Sequence, residues 1–273
     1  MKVMLNGTSI FVGTGGVDWV EDQPCLLLMH GAGMNRTVWV LLARYFARHG
    51  YNLIVPDLPG HGESAGTALT SIEAQAEHTW ALVDTLKASH GLPDTSLSVG
   101  GHSMGALAAL EFVGGRTDAL ASLILFGVGY PMVVGQPLLD AAKANSHDAI
   151  DMISIYSHTL ASQLGHNKIA GISVMNTAMA LLEQAAPDVL FTDLNACNTY
   201  QGGENAAARI HAADVSVTII AGDGDRMTPR KTTQKLASIL KVDVDTIADS
   251  GHMMLSEQPE STLQIVRREL LAR

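Results

Sequence analysis

Cysteine is scarce, with only Cys25 and Cys197 in 273 residues. Two cysteines so far apart build no disulfide framework, although a single bridge between them stays open. The chain has no cysteine and histidine cluster at zinc spacing and no phosphate-binding loop, so its chemistry is expected to need neither a metal nor an organic cofactor. Basic residues are also few: 17 Lys and Arg stand against 27 Asp and Glu, for a formal net charge of −10. That balance makes nucleic acid and anionic membrane surfaces poor partners, since both attract clustered Lys and Arg. Long apolar runs are missing too. The longest mostly apolar stretch, 119–134, is interrupted by Ser122, Gly127, Gly129 and Pro131, and reads as a strand and a loop rather than a membrane span. Residues 1–7 turn polar too early for a secretory leader, so the expectation is a reducing, cytoplasmic setting. Internal repeats and low-complexity segments are absent.

What the chain does contain is 47% hydrophobic residues, enough for one large core, in a rhythm of short apolar runs and helical patterns. Residues 3–5 and 8–12 flank Asn6-Gly7, a hairpin signal. The runs 26–29, 52–55, 96–99, 120–126, 215–221 and 242–247 read as strands. The stretches 37–49, 71–89, 106–113, 229–240 and 256–271 read as helices. Such alternation predicts a mostly parallel α/β sheet with helices on both faces. From about Pro131 to His211 the pattern is only helical. Ile150, Ile153, Leu160 and Leu164 fall on one face, as do Ile172, Met175, Met179 and Leu182, and Pro187 suits the first turn of a further helix. The expected organisation is a core of 1–130 and 213–273 with a helical cap, 131–212, inserted. Because the insert leaves after one strand and returns before another, it should stand near the carboxyl ends of the strands, where open α/β sheets bind ligands.

Gly101-His102-Ser103-Met104-Gly105 lies where a strand gives way to a helix. A sharp turn there needs small residues on either side of the serine and lifts its hydroxyl clear of the sheet. The helix that follows aims its first N–H groups at any oxyanion formed beside Ser103. A serine hydroxyl needs a base. Of 11 histidines, His252 is selected because Asp249-Ser250-Gly251-His252 follows the last strand in a glycine turn. His102 is expected to pack or cap locally, and His30 and His61 to structure their loops. The carboxylate that orients the base should follow another strand. Ala221-Gly222-Asp223-Gly224-Asp225 offers two, and Asp225 is preferred because it lies further round the turn, leaving Asp223 to hold it.

These residues resemble the α/β-hydrolase superfamily. The likeness runs along nearly the whole chain and rests on four ordered segments: His30-Gly31-Ala32-Gly33, 57–64 (Asp-Leu-Pro-Gly-His-Gly-Glu-Ser), Gly101-His102-Ser103-Met104-Gly105, and 222–229 with Gly251-His252. The resemblance implies an eight-stranded, mostly parallel sheet flanked by helices, a Ser103–His252–Asp225 triad, and oxyanion-hole amides on Ala32 and Met104. It implies a serine hydrolase forming an acyl-enzyme on Ser103, with a small molecule as partner. A carboxylic ester is the first expectation. A thioester, a lactone or a carbon–carbon bond cleaved by the same triad is the alternative, and a ligand-binding protein on a hydrolase scaffold is another. Met34, Met132, Met227 and Met253 are candidates for an apolar pocket, because methionine lines tolerant binding surfaces. Met104 and Met254 adjoin the same motifs, and Val133, Val134 and Leu138 are further candidates to touch the ligand from the cap.

Overall fold

Asn6 and Gly7 both take positive φ, 49° and 80°, as a two-residue hairpin turn requires. They join β1 (Lys2–Leu5) to β2 (Thr8–Gly13) in an antiparallel pair. In this computed structural model, which describes residues 1–117, 120–168 and 171–271, six more strands follow. They are β3 (Cys25–Met29), β4 (Asn52–Pro56), β5 (Leu97–His102), β6 (Leu120–Phe126), β7 (Ser216–Gly222) and β8 (Val244–Ile247). Ala119, the first residue of the 119–134 stretch, lies outside the described residues. The eight strands form one sheet in the order β1-β2-β4-β3-β5-β6-β7-β8. β2 meets β4 antiparallel, and every pairing from β4 through β8 is parallel. β3, β4 and β5 are buried at each position, as parallel strands covered on both faces must be. β5 runs past the expected end at residue 99. Gly100 does not stop it: a Cβ there would come within 2.8 Å of Leu28 Cδ2, so the glycine serves close packing inside the strand.

The helical order is a 3₁₀ turn (Arg36–Trp39), α1 (Val40–Ala47), α2 (Ile72–Ser89) and α3 (Met104–Gly115), then α4 (Gln136–Lys143), α5 (Asp148–Ser157), α6 (Leu160–Gln163), α7 (Val174–Leu182), α8 (Val189–Thr199) and α9 (Gly203–Ala212), then α10 (Arg230–Leu240), α11 (Met254–Glu257) and α12 (Pro259–Leu271). The stretch 37–49 is thus two pieces, the first capped by Asn35. The stretch 256–271 is also two, because the residue before a proline resists helical geometry, and Gln258, before Pro259, sits at φ −134°, ψ 58°. α8 begins two residues after Pro187 rather than at it. α2, α3, α9 and α10 bury apolar faces on one side of the sheet, around Leu82, Leu107, Phe112, Ile210 and Leu236. The 3₁₀ turn, α1, α11 and α12 cover the other, around Trp39, Phe46, Leu255 and Val266.

The six helices between β6 and β7 divide. α4, α5, α7 and the first part of α8 share a third apolar cluster that includes Leu139, Ile153, Ala178, Leu182 and Leu194 and reaches down to Met34 and Met253. α9 lies instead against α3: a Cβ on Gly114 would stand 2.9 Å from Ala206 Cα, and Arg209 Nε donates to Gly114 O at 2.6 Å. Two expected faces shift. Leu160 and Leu164 are exposed, since α5 ends at Ser157 and the period does not carry through. On α7 the buried residues are Val174, Ala178 and Leu182, with Ile172 exposed. Among the described residues no helix is long and apolar enough to cross a membrane.

The close approach of α3 and α9 makes Gly114 and Gly115 a test pair. At Gly115 an added Cβ meets nothing nearer than Trp80 Nε1 at 4.0 Å. Gly115→Ala should therefore leave stability unchanged or raise it by up to about 1 kcal/mol through helix propensity. Gly114→Ala should lower it by about 1–3 kcal/mol through overpacking. Urea unfolding of the two variants measures the contrast.

Candidate active site

The β5–α3 turn holds Ser103 at φ 54°, ψ −116°, a backbone region that costs an ordinary side chain energy and persists only where the surroundings enforce it. They do so here. A Cβ on Gly101 would lie 2.0 Å from Gly105 O, and one on Gly105 would lie 2.2 Å from Met29 O. No residue but glycine fits either place, which is the physical content of the G-x-S-x-G pattern. The Ser103 N–H donates to Phe126 O at 2.9 Å and ties the turn to the end of β6. Met104 then opens α3. Among the described residues, neither the Met104 N–H nor the Ala32 N–H is used in a hydrogen bond with the protein.

Asp225 and His252 meet. His252 Nδ1 donates to Asp225 Oδ2 at 2.8 Å, with both side chains almost wholly buried. The loop after β7 prepares the carboxylate: Oδ1 accepts the Met227 and Thr228 N–H groups at 2.8 and 2.9 Å, and Oδ2 accepts the Thr228 hydroxyl at 2.6 Å. Burial pushes the Asp225 carboxyl up, but the neighbouring His252 and Thr228 outweigh it and hold it at about 2. The carboxylate therefore stays ionised and keeps the proton of His252 on Nδ1, leaving Nε2 with its lone pair. Asp223 is exposed and accepts only a 3.3 Å bond from Ser250 N in place of the ring.

The His252 backbone is clamped from three sides. Its N–H donates to Ser157 O at 2.8 Å, at the end of α5. The preceding Gly251 N–H donates to Glu257 Oε2 at 2.7 Å. Its carbonyl accepts His102 Nε2 at 2.9 Å. The expectation that His102 packs or caps locally is corrected by this last bond, which spans 150 residues. Burial, with His252 beside it, lowers the His102 pKa to about 3, so the ring is neutral, donates from Nε2, and brings the Ser103 turn to the His252 loop. The Gly127 backbone completes the approach, since a Cβ on it would lie 3.0 Å from the His252 ring. The Ser103 hydroxyl itself makes no hydrogen bond among the described residues; such links are often loose before substrate binds. Ser157 and Glu257 carried no motif signal, and the motif segments that contain His102 and Thr228 gave no sign of their contacts, which only the fold creates.

Ala32 sits in the loop after β3. His30 Nδ1 donates to Gly31 O at 2.9 Å, and Asp193 of α8 accepts the Gly33 N–H at 2.8 Å. Met34, Met227 and Met253 come together in the apolar cluster under the inserted helices, with Val134 and Leu138 packed against it. Met132 packs against the main core instead, and Val133 is 73% exposed. Met104 and Met254 are fully buried core residues. Beside Met253 opens a cavity of about 830 Å³ between α7 and the 3₁₀ turn, lined by Val38, Leu41, Ile172 and Leu181 among others and, among the described residues, by no charged one. Among the described residues no group of three or more His, Cys, Asp and Glu could hold a metal ion.

A model of the alpha/beta hydrolase family matches residues 26–265. The pimeloyl-[acyl-carrier protein] methyl ester esterase of Aromatoleum aromaticum is 27% identical over 260 residues, covering 90% of this chain and 97% of its own. A thermophilic esterase from Thermogutta terrifontis superposes with a TM-score of 0.80 at 20% identity, covering 100% of this chain and 98% of that one. The enol-lactonase from Burkholderia xenovorans gives 0.82 at 16% identity, covering 99% and 100%.

Two outcomes follow from the Asp225 geometry. Because its folded pKa is depressed to about 2 from an ordinary 3.8, its contribution to stability is complete above the ordinary value and disappears as pH falls through the folded one. Wild type should lose about 2 kcal/mol relative to Asp225→Asn across that window, read by urea unfolding at stepped pH. In kinetics, Asp225→Asn should lower kcat by on the order of 10³–10⁴-fold, through the wrong tautomer of His252, while Asp223→Asn leaves it within about 3-fold. The reverse ranking reassigns the carboxylate.

Proposed function

The chain belongs to the alpha/beta hydrolase family and is a hydrolase, and on that premise we propose that it cleaves a carboxylic ester of a small or medium apolar substrate through an acyl-enzyme on Ser103. The observation that carries this reading is the buried Asp225–His252 hydrogen bond beside a serine held at a strained turn. His252 Nε2 takes the Ser103 proton as Oγ attacks the carbonyl carbon. The oxyanion is received by the N–H groups of Ala32 and Met104, each worth roughly 3 kcal/mol. Collapse breaks the acyl–oxygen bond, and the imidazolium returns its proton to the departing alcohol. Water then enters, loses a proton to His252, attacks the acyl carbon, and leaves as part of the carboxylic acid while Ser103 regains its proton. Every step uses groups of this chain.

The substrate class rests on the uncharged cavity beside Met253. A cavity without charged lining favours an uncharged aliphatic or aryl chain, since burying an unpaired charge is costly. The inserted helices between residues 131 and 212 serve in this reading as a cap over the core of 1–130 and 213–273, with α9 seated on the core side. Cys25 and Cys197 are both buried and unpaired, which supports a reducing, cytoplasmic compartment.

The test is turnover of p-nitrophenyl acetate, butyrate, octanoate and laurate, alongside a thioester and a lactone. Ester hydrolysis should fall by at least on the order of 10³-fold in Ser103→Ala. Leu181→Trp, which narrows the cavity, should lower kcat/KM for octanoate at least about 5-fold relative to acetate. Hydrolysis that survives Ser103→Ala contradicts the mechanism, and a chain-length profile indifferent to Leu181→Trp contradicts the substrate class.

A further inference from the structure

Asp193 stands apart from the proposed triad, on α8, with a side chain fully shielded from solvent. Its Oδ2 accepts two bonds at 2.8 Å, one from the Gly33 N–H and one involving His61 Nε2. Its Oδ1 is buried with no partner. The second ring nitrogen of His61, Nδ1, lies 3.1 Å from Pro59 O. A carbonyl only accepts, so Nδ1 carries a proton. An ionised carboxylate also only accepts, so Nε2 carries one too. His61 is then an imidazolium paired with a carboxylate, both buried.

The neighbouring His30 has the opposite pattern. Its Nε2 accepts the Leu58 N–H at 3.1 Å and its Nδ1 donates to Gly31 O at 2.9 Å. That ring is neutral, and burial together with the charge on His61, 4.8 Å away between ring centroids, lowers its pKa to about 3. The Gly31 carbonyl and the Ala32 N–H belong to one planar peptide. A donor on that carbonyl fixes the direction of the N–H at its other end. The next peptide, Ala32–Gly33, is fixed by Asp193 through its own N–H. Gly33 sits at φ 65°, and a Cβ there would come within 2.9 Å of Leu190 Cδ1, so the loop and α8 are in close contact. The Ala32 N–H is therefore held between two locked peptides.

We propose that the buried Asp193–His61 pair is a positioning device for the oxyanion hole, holding the 31–33 loop so that the Ala32 N–H faces the acyl carbonyl and tying that loop to α8. The proposal rests on the ester-hydrolase reading for its kinetic consequence, but the charge state of the pair does not. The groups that face His61 are Asp193 on α8, Asp57 and His30; Cys197 on α8 lies near Asp193. Burial lowers the His61 pKa, while Asp193, the Pro59 carbonyl and Asp57 raise it further, for a net rise. The pair is thus intact below the ordinary imidazole range and is lost as pH climbs through the raised value.

Two measurements test this. In ¹⁵N spectra of histidine-labelled wild type, the His61 ring, identified by its loss in His61→Gln, should be protonated on both nitrogens below the ordinary imidazole range, at about pH 5.5. A neutral ring there overturns the pair. In kinetics on p-nitrophenyl butyrate, Asp193→Ala should lower kcat at least about 10-fold with KM within about 3-fold. Asp193→Asn, which retains an acceptor for Gly33 without the charge, should recover part of that loss and lack the alkaline decline of wild type. A folded Asp193→Ala protein that keeps more than about half of wild-type kcat, or is affected only in KM, overturns the positioning role. If Asp193→Ala does not fold, the alkaline decline of wild type against Asp193→Asn decides it. Wild type inert on every ester overturns the hydrolase reading, and the spectrum still decides the pair.

Discussion

Two carbonyl oxygens leave no room for a side chain on either side of Ser103. Gly105 O crowds the Cβ position of Gly101, and Met29 O crowds that of Gly105. Because both neighbours must be glycine, the backbone can turn within one residue from the end of β5 into α3, and Ser103 is forced to φ 54°. Strain of this kind is of order 1–3 kcal/mol and survives only because the flanking strands are buried and fully paired. The same demand recurs at the partner loops. A Cβ on Gly222 would strike Gly251 O at 2.2 Å, and one on Gly251 would strike Ser157 O at 2.4 Å. Close backbone approach thus shapes both the Ser103 turn and the paired loops after β7 and β8, and the side chains of Ser103, Asp225 and His252 ride on it.

Four of the five histidines buried among the described residues have different duties. His102 and His30 are held neutral by burial and act as one-way donors to carbonyls, of His252 and Gly31. His252 and His61 each face a buried aspartate, Asp225 and Asp193. The difference lies at the second nitrogen. In His61 it meets a carbonyl, which demands a proton. In His252 it is left free to accept one. Both aspartates thus have a histidine ring and backbone N–H groups for partners, as burial of a carboxylate requires.

Much of this was legible beforehand. The alternation of apolar runs and helical periods predicted the parallel sheet, and Asn6-Gly7 the hairpin, because both signals are local. Glycine turns at strand ends are visible in one dimension, which is why Ser103, Asp225 and His252 stood out in the sequence; the fold joins Asp225 to His252 and sets Ser103 at a strained turn. The errors share a cause. Leu160 and Leu164 were assigned to a buried face by a period that a helix end interrupts. Gly100 looked like a strand terminator but was selected by Leu28 across the sheet. The long-range bond of His102, expected to pack or cap locally, and the roles of Glu257 and Asp193 were not legible because their partners lie far away in sequence or belong to backbone, and no spacing rule reports such contacts. The methionines divided for the same reason: Met34, Met227 and Met253 join the cluster under the inserted helices, while Met132, Met104 and Met254 pack into the two clusters on the faces of the sheet.

The account turns on a single oxygen atom becoming nucleophilic. A fluorophosphonate that mimics an acyl donor reports this directly, followed by proteolysis and mass mapping of the adduct. The predicted result is one phosphonyl group per chain, on Ser103, and none on Ser103→Ala protein. An adduct on any other residue, or ester turnover undiminished in protein that carries no adduct after full exposure, would contradict it.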